Sequence, residues 1–164
     1  MKRLTLVCFV TMLFLGWLLA ATPAWAQSDL NGAWEIVEAS GHNDEGDWKW
    51  EAVQPSLYIF LDGYYSIALV RGTEPRPLMP EGTHWETMSA EQLRSVCSGR
   101  VFSANSGVYE ASGSSLIIKP MVAKWPNFME GGSETYTYSV EGDTLTLSYE
   151  GDTWAFGFTL RRLR

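Results

Sequence analysis

Three consecutive segments near the C-terminus alternate between large and small side chains, and this pattern confines the chain to antiparallel strands. Tyr136, Tyr138 and Val140 alternate with Thr135, Thr137 and Ser139. Leu145, Leu147 and Tyr149 alternate with Thr144, Thr146 and Ser148, and Trp154, Phe156, Phe158 and Leu160 with Ala155, Gly157, Thr159 and Arg161. Successive side chains of a strand point to opposite faces, so a period of two builds one buried face and one wet face. The β-branched and aromatic residues here suit such a half-buried surface. Glu141-Gly142-Asp143 and Glu150-Gly151-Asp152 separate the segments, and glycine supplies the positive φ of a tight reversal.

The same reading applied upstream predicts eight strands, at 31–38, 56–61, 64–70, 103–111, 115–119, 134–140, 144–149 and 153–161. Asp62-Gly63 and Ser112-Gly113 mark two further hairpins. One helix is predicted at about 90–98, where Ser89 and Gln92 form a capping box and Gly99 follows the last turn. The prolines between Thr73 and Pro80 exclude regular structure there. The expected fold is all-β: an eight-stranded antiparallel up-and-down barrel with one short helix in its third connection. In such a barrel successive connections alternate between the two ends. The long connections, 39–55, 71–102 and 120–133, are first, third and fifth, so they share one end. Tight turns close the other, giving an elaborated mouth over a plain base, the shape of a ligand cup.

Residues 1–26 are expected to act as a secretory signal peptide, leaving 27–164 as the single domain. Lys2 and Arg3 precede an apolar run from Leu4 to Leu19, Pro23 follows, and Ala24-Trp25-Ala26 gives the small-x-small pattern before a cut. The expected destination is the periplasm or the extracellular medium. The apolar run is nearly long enough to span a bilayer, so an uncleaved anchor is the competing reading; after cleavage no membrane span remains. The formal net charge is −7, and loss of Lys2 and Arg3 makes the domain more acidic still. This balance disfavours nucleic acid and anionic lipid as partners. Cys97 is the one cysteine beyond the apolar run, so no internal disulfide forms and the domain relies on its core. A monomer or weak dimer is expected.

At this point the chain resembles the lipocalin-like domains of exported bacterial proteins, within the wider calycin group. Gly32-Ala33-Trp34 matches the G-x-W word of lipocalins, and Arg161 and Arg162 match the basic residue that packs over that tryptophan. Asp62-Gly63-Tyr64-Tyr65-Ser66, Ala104 to Glu110, and the stretch from Val122-Ala123-Lys124 through Phe128 to Gly131-Gly132-Ser133 extend the match over most of the domain. The T-D-Y word and the disulfide of secreted animal lipocalins are absent. The resemblance implies the fold more than a transport role.

No cofactor is expected, since there is no P-loop, G-x-S-x-G or H-E-x-x-H word. His42 and His84 are read as solvated loop residues, and the Asp44, Glu45, Asp47 cluster lacks a calcium-loop spacing. Aromatic residues are the informative class. Trp48, Trp50, Trp85, Trp125 and Phe128 fall in the mouth connections, where they either plug the barrel as a second small core or form a binding rim. Tyr65, Tyr136 and Tyr138 are candidates for the lumen below, where buried hydroxyls require partners. Lys119 and Lys124 are surface residues with the chemistry to meet an acidic head group. The leading function is non-covalent binding of a small apolar or amphipathic molecule. The rivals are a calycin-type enzyme acting on a lipid-like substrate, with Glu35, Glu110 and Glu134 as the strand acids to check, and a solid barrel whose loops bind protein.

Overall fold

The computed structural model describes residues 29–50, 53–79, 81–98 and 102–164. The predicted signal segment and Gly99 lie outside them. Among the described residues the strands are β1 (Gly32–Asn43), β2 (Gly46–Lys49), β3 (Ser56–Leu61), β4 (Tyr64–Val70), β5 (Phe102–Ser112), β6 (Ser115–Ala123), β7 (Glu134–Glu141), β8 (Thr144–Glu150) and β9 (Ala155–Arg162). Two helices, α1 (Ala90–Cys97) and α2 (Pro126–Met129), lie in connections. Every neighbouring pair is antiparallel and consecutive from β3 to β9, and β1 closes the barrel by pairing with both β3 and β9. Eight strands form the wall. The ninth, β2, folds back on the upper half of β1 through Ser40↔Lys49 to Asn43↔Gly46.

This is the expected barrel, with β2 and α2 added and with three of its wall strands ending elsewhere than expected. The first strand runs on to Asn43, because β9 supports its whole length, from Trp34↔Arg162 to His42↔Ala155. The strand expected at 115–119, β6, continues through Pro120 to Ala123. Pairing of β6 with β7 stops at Ile118, so the missing Pro120 N–H costs no bond on that side. On the other side the ladder shifts between Ser106 and Gly107, a bulge at which a Cβ on Gly107 would overlap the Lys119 carbonyl oxygen. The last strand starts at Ala155, leaving Trp154 in the connection before it.

The base is solid. Trp34, Phe60, Leu116, Ile118, Leu145, Leu147 and Leu160 are fully buried there with Leu30. Burying such side chains contributes about 1.5–3 kcal/mol each before entropy is counted. Arg162 lies over Trp34, whose indole N–H donates to the Leu30 carbonyl at 2.9 Å. The alternation that turns Arg162 to this contact turns Arg161 outward, where it pairs with Glu35. The Asp62-Gly63 turn is held from across the base. The Asn31 side chain donates to Asp62 Oδ1 and accepts from the Asp62 N–H, with Asp62 at φ 47°.

The third connection carries α1, with the capping box of Ser89 and Gln92 formed in both directions. Arg76 donates to the Val96 carbonyl, and Lys124 to the carbonyls of Ser98 and Phe102, tying this connection to the barrel.

Candidate functional site

The barrel is hollow in its upper half. A cavity of about 900 Å³ opens at the end where the first, third, fifth and seventh connections meet. Those connections share one end because the strands run alternately up and down, so the parity read from the sequence places the mouth. The low half is filled by branched aliphatic side chains together with Trp34, Phe60, Tyr65 and Tyr138. Towards the mouth β6 and β7 part beyond Ile118, and α2 occupies the gap with Phe128 against the core.

One wall is aromatic. Trp48 and Trp50 have ring centroids 5.5 Å apart, and Trp50 reaches Phe158 at 6.2 Å. Phe158 continues to Phe156 at 4.9 Å, and Phe156 stacks on Trp154 at 5.2 Å. Strand geometry builds this series. Phe156 and Phe158 are inward residues of β9, and Trp48 lies over Gly41 of β1, where a Cβ would overlap both the Trp48 ring and the Ala155 carbonyl oxygen. Trp48, Trp50 and Phe128 are half-buried against the core, whereas Trp125 and Trp154 are 58% and 41% exposed at the rim. The mouth is therefore partly packed and partly open, which combines the two readings of its aromatics.

The opposite wall comes from inward residues of β4 and β5: Ile67, Leu69, Ser103 and Asn105, with Arg71 at the rim. Asn105 Oδ1 is buried without a hydrogen-bond partner. Tyr58, Tyr136 and Glu134 complete the lining, and the Tyr136 hydroxyl donates to Glu134 Oε2 at 2.5 Å. Burial pushes the Tyr58 and Tyr136 phenols above the usual range, and the nearby Glu134 carboxylate adds to both; Arg71 opposes the shift at Tyr58. These phenols stay protonated at neutral pH and act as hydrogen-bonding groups rather than bases.

Of the eight residues expected to contact a ligand, Trp48, Trp50, Trp125, Phe128 and Tyr136 line the cavity. The other three do not. Trp85 is 57% exposed on a short 3-10 turn, Trp85–Thr87. Tyr65 is buried below the cavity floor, where its hydroxyl has no hydrogen-bond partner. Tyr138 is buried further towards the base, opposite Leu147. Position along the strand decides this: all three inward tyrosines have the right parity, but the lumen is open only near the mouth. Lining groups not among the contacts expected from sequence include Asn105, Ser103, Arg71, Tyr58, Phe156 and Phe158. A signal for two of them existed, since Ser103 and Asn105 are polar residues at inward parity beside the mouth.

The acids separate in the same way. Glu35 and Glu110 face outward and pair with Arg161 and Lys119, while Glu134 faces the cavity. Lys119 and Lys124 are thus engaged elsewhere. His42 bonds Asp47 at the rim, and no cluster of three metal-ligating side chains occurs among the described residues.

No protein-family model matches the chain, and no curated protein does. Among solved structures, a lipocalin-like protein from Bacteroides uniformis aligns at 16% identity and TM-score 0.45, over 82% of this chain and 99% of that one. An uncharacterized protein from Bacteroides eggerthii aligns at 14% identity and TM-score 0.43, over 82% and 99%. A variant of the fluorescent protein UnaG aligns at 17% identity and TM-score 0.38, over 84% and 98%. A closed eight-stranded up-and-down barrel, with a G-x-W tryptophan under an arginine from the last strand and a cup open at one end, has the lipocalin-like calycin fold.

Proposed function

We propose that this barrel binds a small apolar or amphipathic molecule non-covalently in its mouth. The observation that carries the reading is the open cavity of about 900 Å³ with its aromatic wall. That volume falls within the roughly 300–1,000 Å³ of small-molecule sites, and the lining has the expected mixture of apolar surface and a few convergent polar groups. A barrel serving only as a solid protein-binding scaffold has no need of an open lumen. We also propose that the domain works outside the cytoplasm, on the strength of the charged, apolar and Ala-Trp-Ala pattern of residues 1–26.

A catalytic reading has one foothold, the Glu134–Tyr136 pair in the cavity. The phenols beside it are held protonated, so they supply hydrogen-bond donors and no general base.

The test is a titration of fatty acids, isoprenoids and aromatic dyes into the purified domain, read by tryptophan emission and calorimetry, with mass spectrometry of co-purifying small molecules. Saturable binding that alters the emission is expected, since Trp48, Trp50, Trp125 and Trp154 line the cavity. No response to any class, and nothing co-purifying, overturns the reading.

A further inference from the structure

Resting on the reading of the cavity as a ligand site, we propose that its occupant carries a cationic amine, held by Glu134 against the aromatic wall. The first reason is a shortage of donors. Glu134 faces the lumen and receives a bond from the Tyr136 hydroxyl, and among the described residues no basic side chain forms an ion pair with it. An ionised carboxylate offers about four acceptor sites. Asn105 Oδ1, also on the cavity lining, is a buried acceptor without a partner. A buried acceptor left unmade is costly, and the group that supplies donors without adding acceptors is an ammonium.

The second reason is the wall itself. The Trp50, Phe158 and Phe156 rings form a continuous π surface beside Tyr58, whose ring lies 6.3 Å from Phe158. Aromatic faces carry negative quadrupole potential and attract cations, the more so when desolvated. The third reason is the approach. The formal net charge is −7, and Asp44, Glu45 and Asp47 stand in the β1–β2 connection and at the start of β2 by the rim, so the field draws cations towards the opening. Arg71 is the one permanent cation among the described lining residues, and it is exposed at the rim, where water screens it. The cavity thus fits an amphiphile with an apolar body and a protonated amine.

Three probes that share a dodecyl chain separate the outcomes: dodecylammonium, dodecanol and dodecanoate, titrated below their aggregation thresholds into the wild-type domain and variants. Dodecylammonium is expected to bind at least about tenfold tighter than the other two, the worth of one charge-assisted hydrogen bond. Glu134→Gln should erase that preference. Glu110→Gln, which alters net charge equally on the outer wall, should keep it. Equal binding of dodecylammonium and dodecanol overturns the amine while leaving the cavity reading intact. So does a preference for dodecanoate that Arg71→Gln removes, whereas a preference for dodecylammonium that survives Glu134→Gln overturns the assignment of the amine to Glu134. Failure of all three probes to bind overturns both. If Glu134→Gln does not fold, the ranking of the three probes on the wild type decides.

Discussion

The guanidinium carbon of Arg162 lies 4.0 Å from the centre of the Trp34 ring, and the two residues face each other across the β1–β9 seam that closes the barrel. Arg162 also donates to the carbonyls of Asn31 and Asp29. One side chain thus covers the base tryptophan, closes the sheet and holds the entering chain. A Cβ on Gly32 would sit 2.6 Å from Arg162 Nη1, which ties the glycine of the G-x-W word to this contact.

Trp34→Ala should cost about 3–5 kcal/mol, as for other large core deletions. Arg162→Ala should cost about 1–3 kcal/mol, and Arg162→Lys should not restore it, because an ammonium cannot stack and fork at once. Arg161→Ala should cost less than about 1 kcal/mol, since its pair with Glu35 is solvent-exposed. Urea denaturation of the three positions checks the order, and equal losses at Arg161 and Arg162 would refute it.

Gly41 sets the aromatic wall. Gly41→Ala should cost about 1–3 kcal/mol, as overpacking does, and should shift tryptophan emission by displacing Trp48. A variant with wild-type stability and emission would show that the Trp48 ring does not rest on Gly41.

The mouth aromatics should divide by burial. Trp125→Ala is expected to change stability by no more than about 0.5 kcal/mol, because the residue is exposed, while weakening ligand binding. Phe128→Ala should lower both, since this ring also packs against the core. Thermal melts beside a dye titration separate the two roles, and a stability loss at Trp125 matching that at Phe128 would contradict the division.

Alkaline pH should destabilise the domain. The Tyr58, Tyr65 and Tyr136 phenols are raised above the ordinary value of about 10, chiefly by burial. Above about pH 10 the unfolded chain loses these protons while the native state retains them. Their contribution is therefore complete below about pH 10 and is lost as pH rises through the native values. Denaturation followed from about pH 8 upward should show this fall, and Tyr58→Phe should make it shallower. A flat profile would mean that these hydroxyls reach water.

Material recovered from the exported fraction should begin at Gln27 or within a residue or two, as the Ala24-Trp25-Ala26 pattern requires. Terminal sequencing reads this directly. Full-length chain retained in the membrane would point to an anchor.

Much of this architecture is written locally. The alternation in β7, β8 and β9, the Asp62-Gly63 and Gly142-Asp143 reversals, and the Ser89–Gln92 capping box are set by neighbours two to four residues apart, so they are legible in one dimension. Parity is legible too, because strand number fixes which connections share an end; the mouth positions of Trp48, Trp50 and Trp125 are legible on that ground alone, while the same parity does not bring Trp85 to the cavity. The β2 hairpin and the passage of β6 through Pro120 were not, since each depends on which partner edge is free. Which inward residues meet a ligand was also beyond one dimension. Tyr65, Tyr136 and Tyr138 share the same parity, yet Tyr136 lines the cavity while the other two lie below it. The sequence by itself determined the eight wall strands to within their ends, the tight turns between them and the polarity of the barrel, because those follow from period and backbone conformation. Only the tertiary structure decided where the barrel is hollow. A cavity is the difference between the volume that eight tilted strands enclose and the volume their side chains fill, and that difference exists only once register and strand separation are fixed.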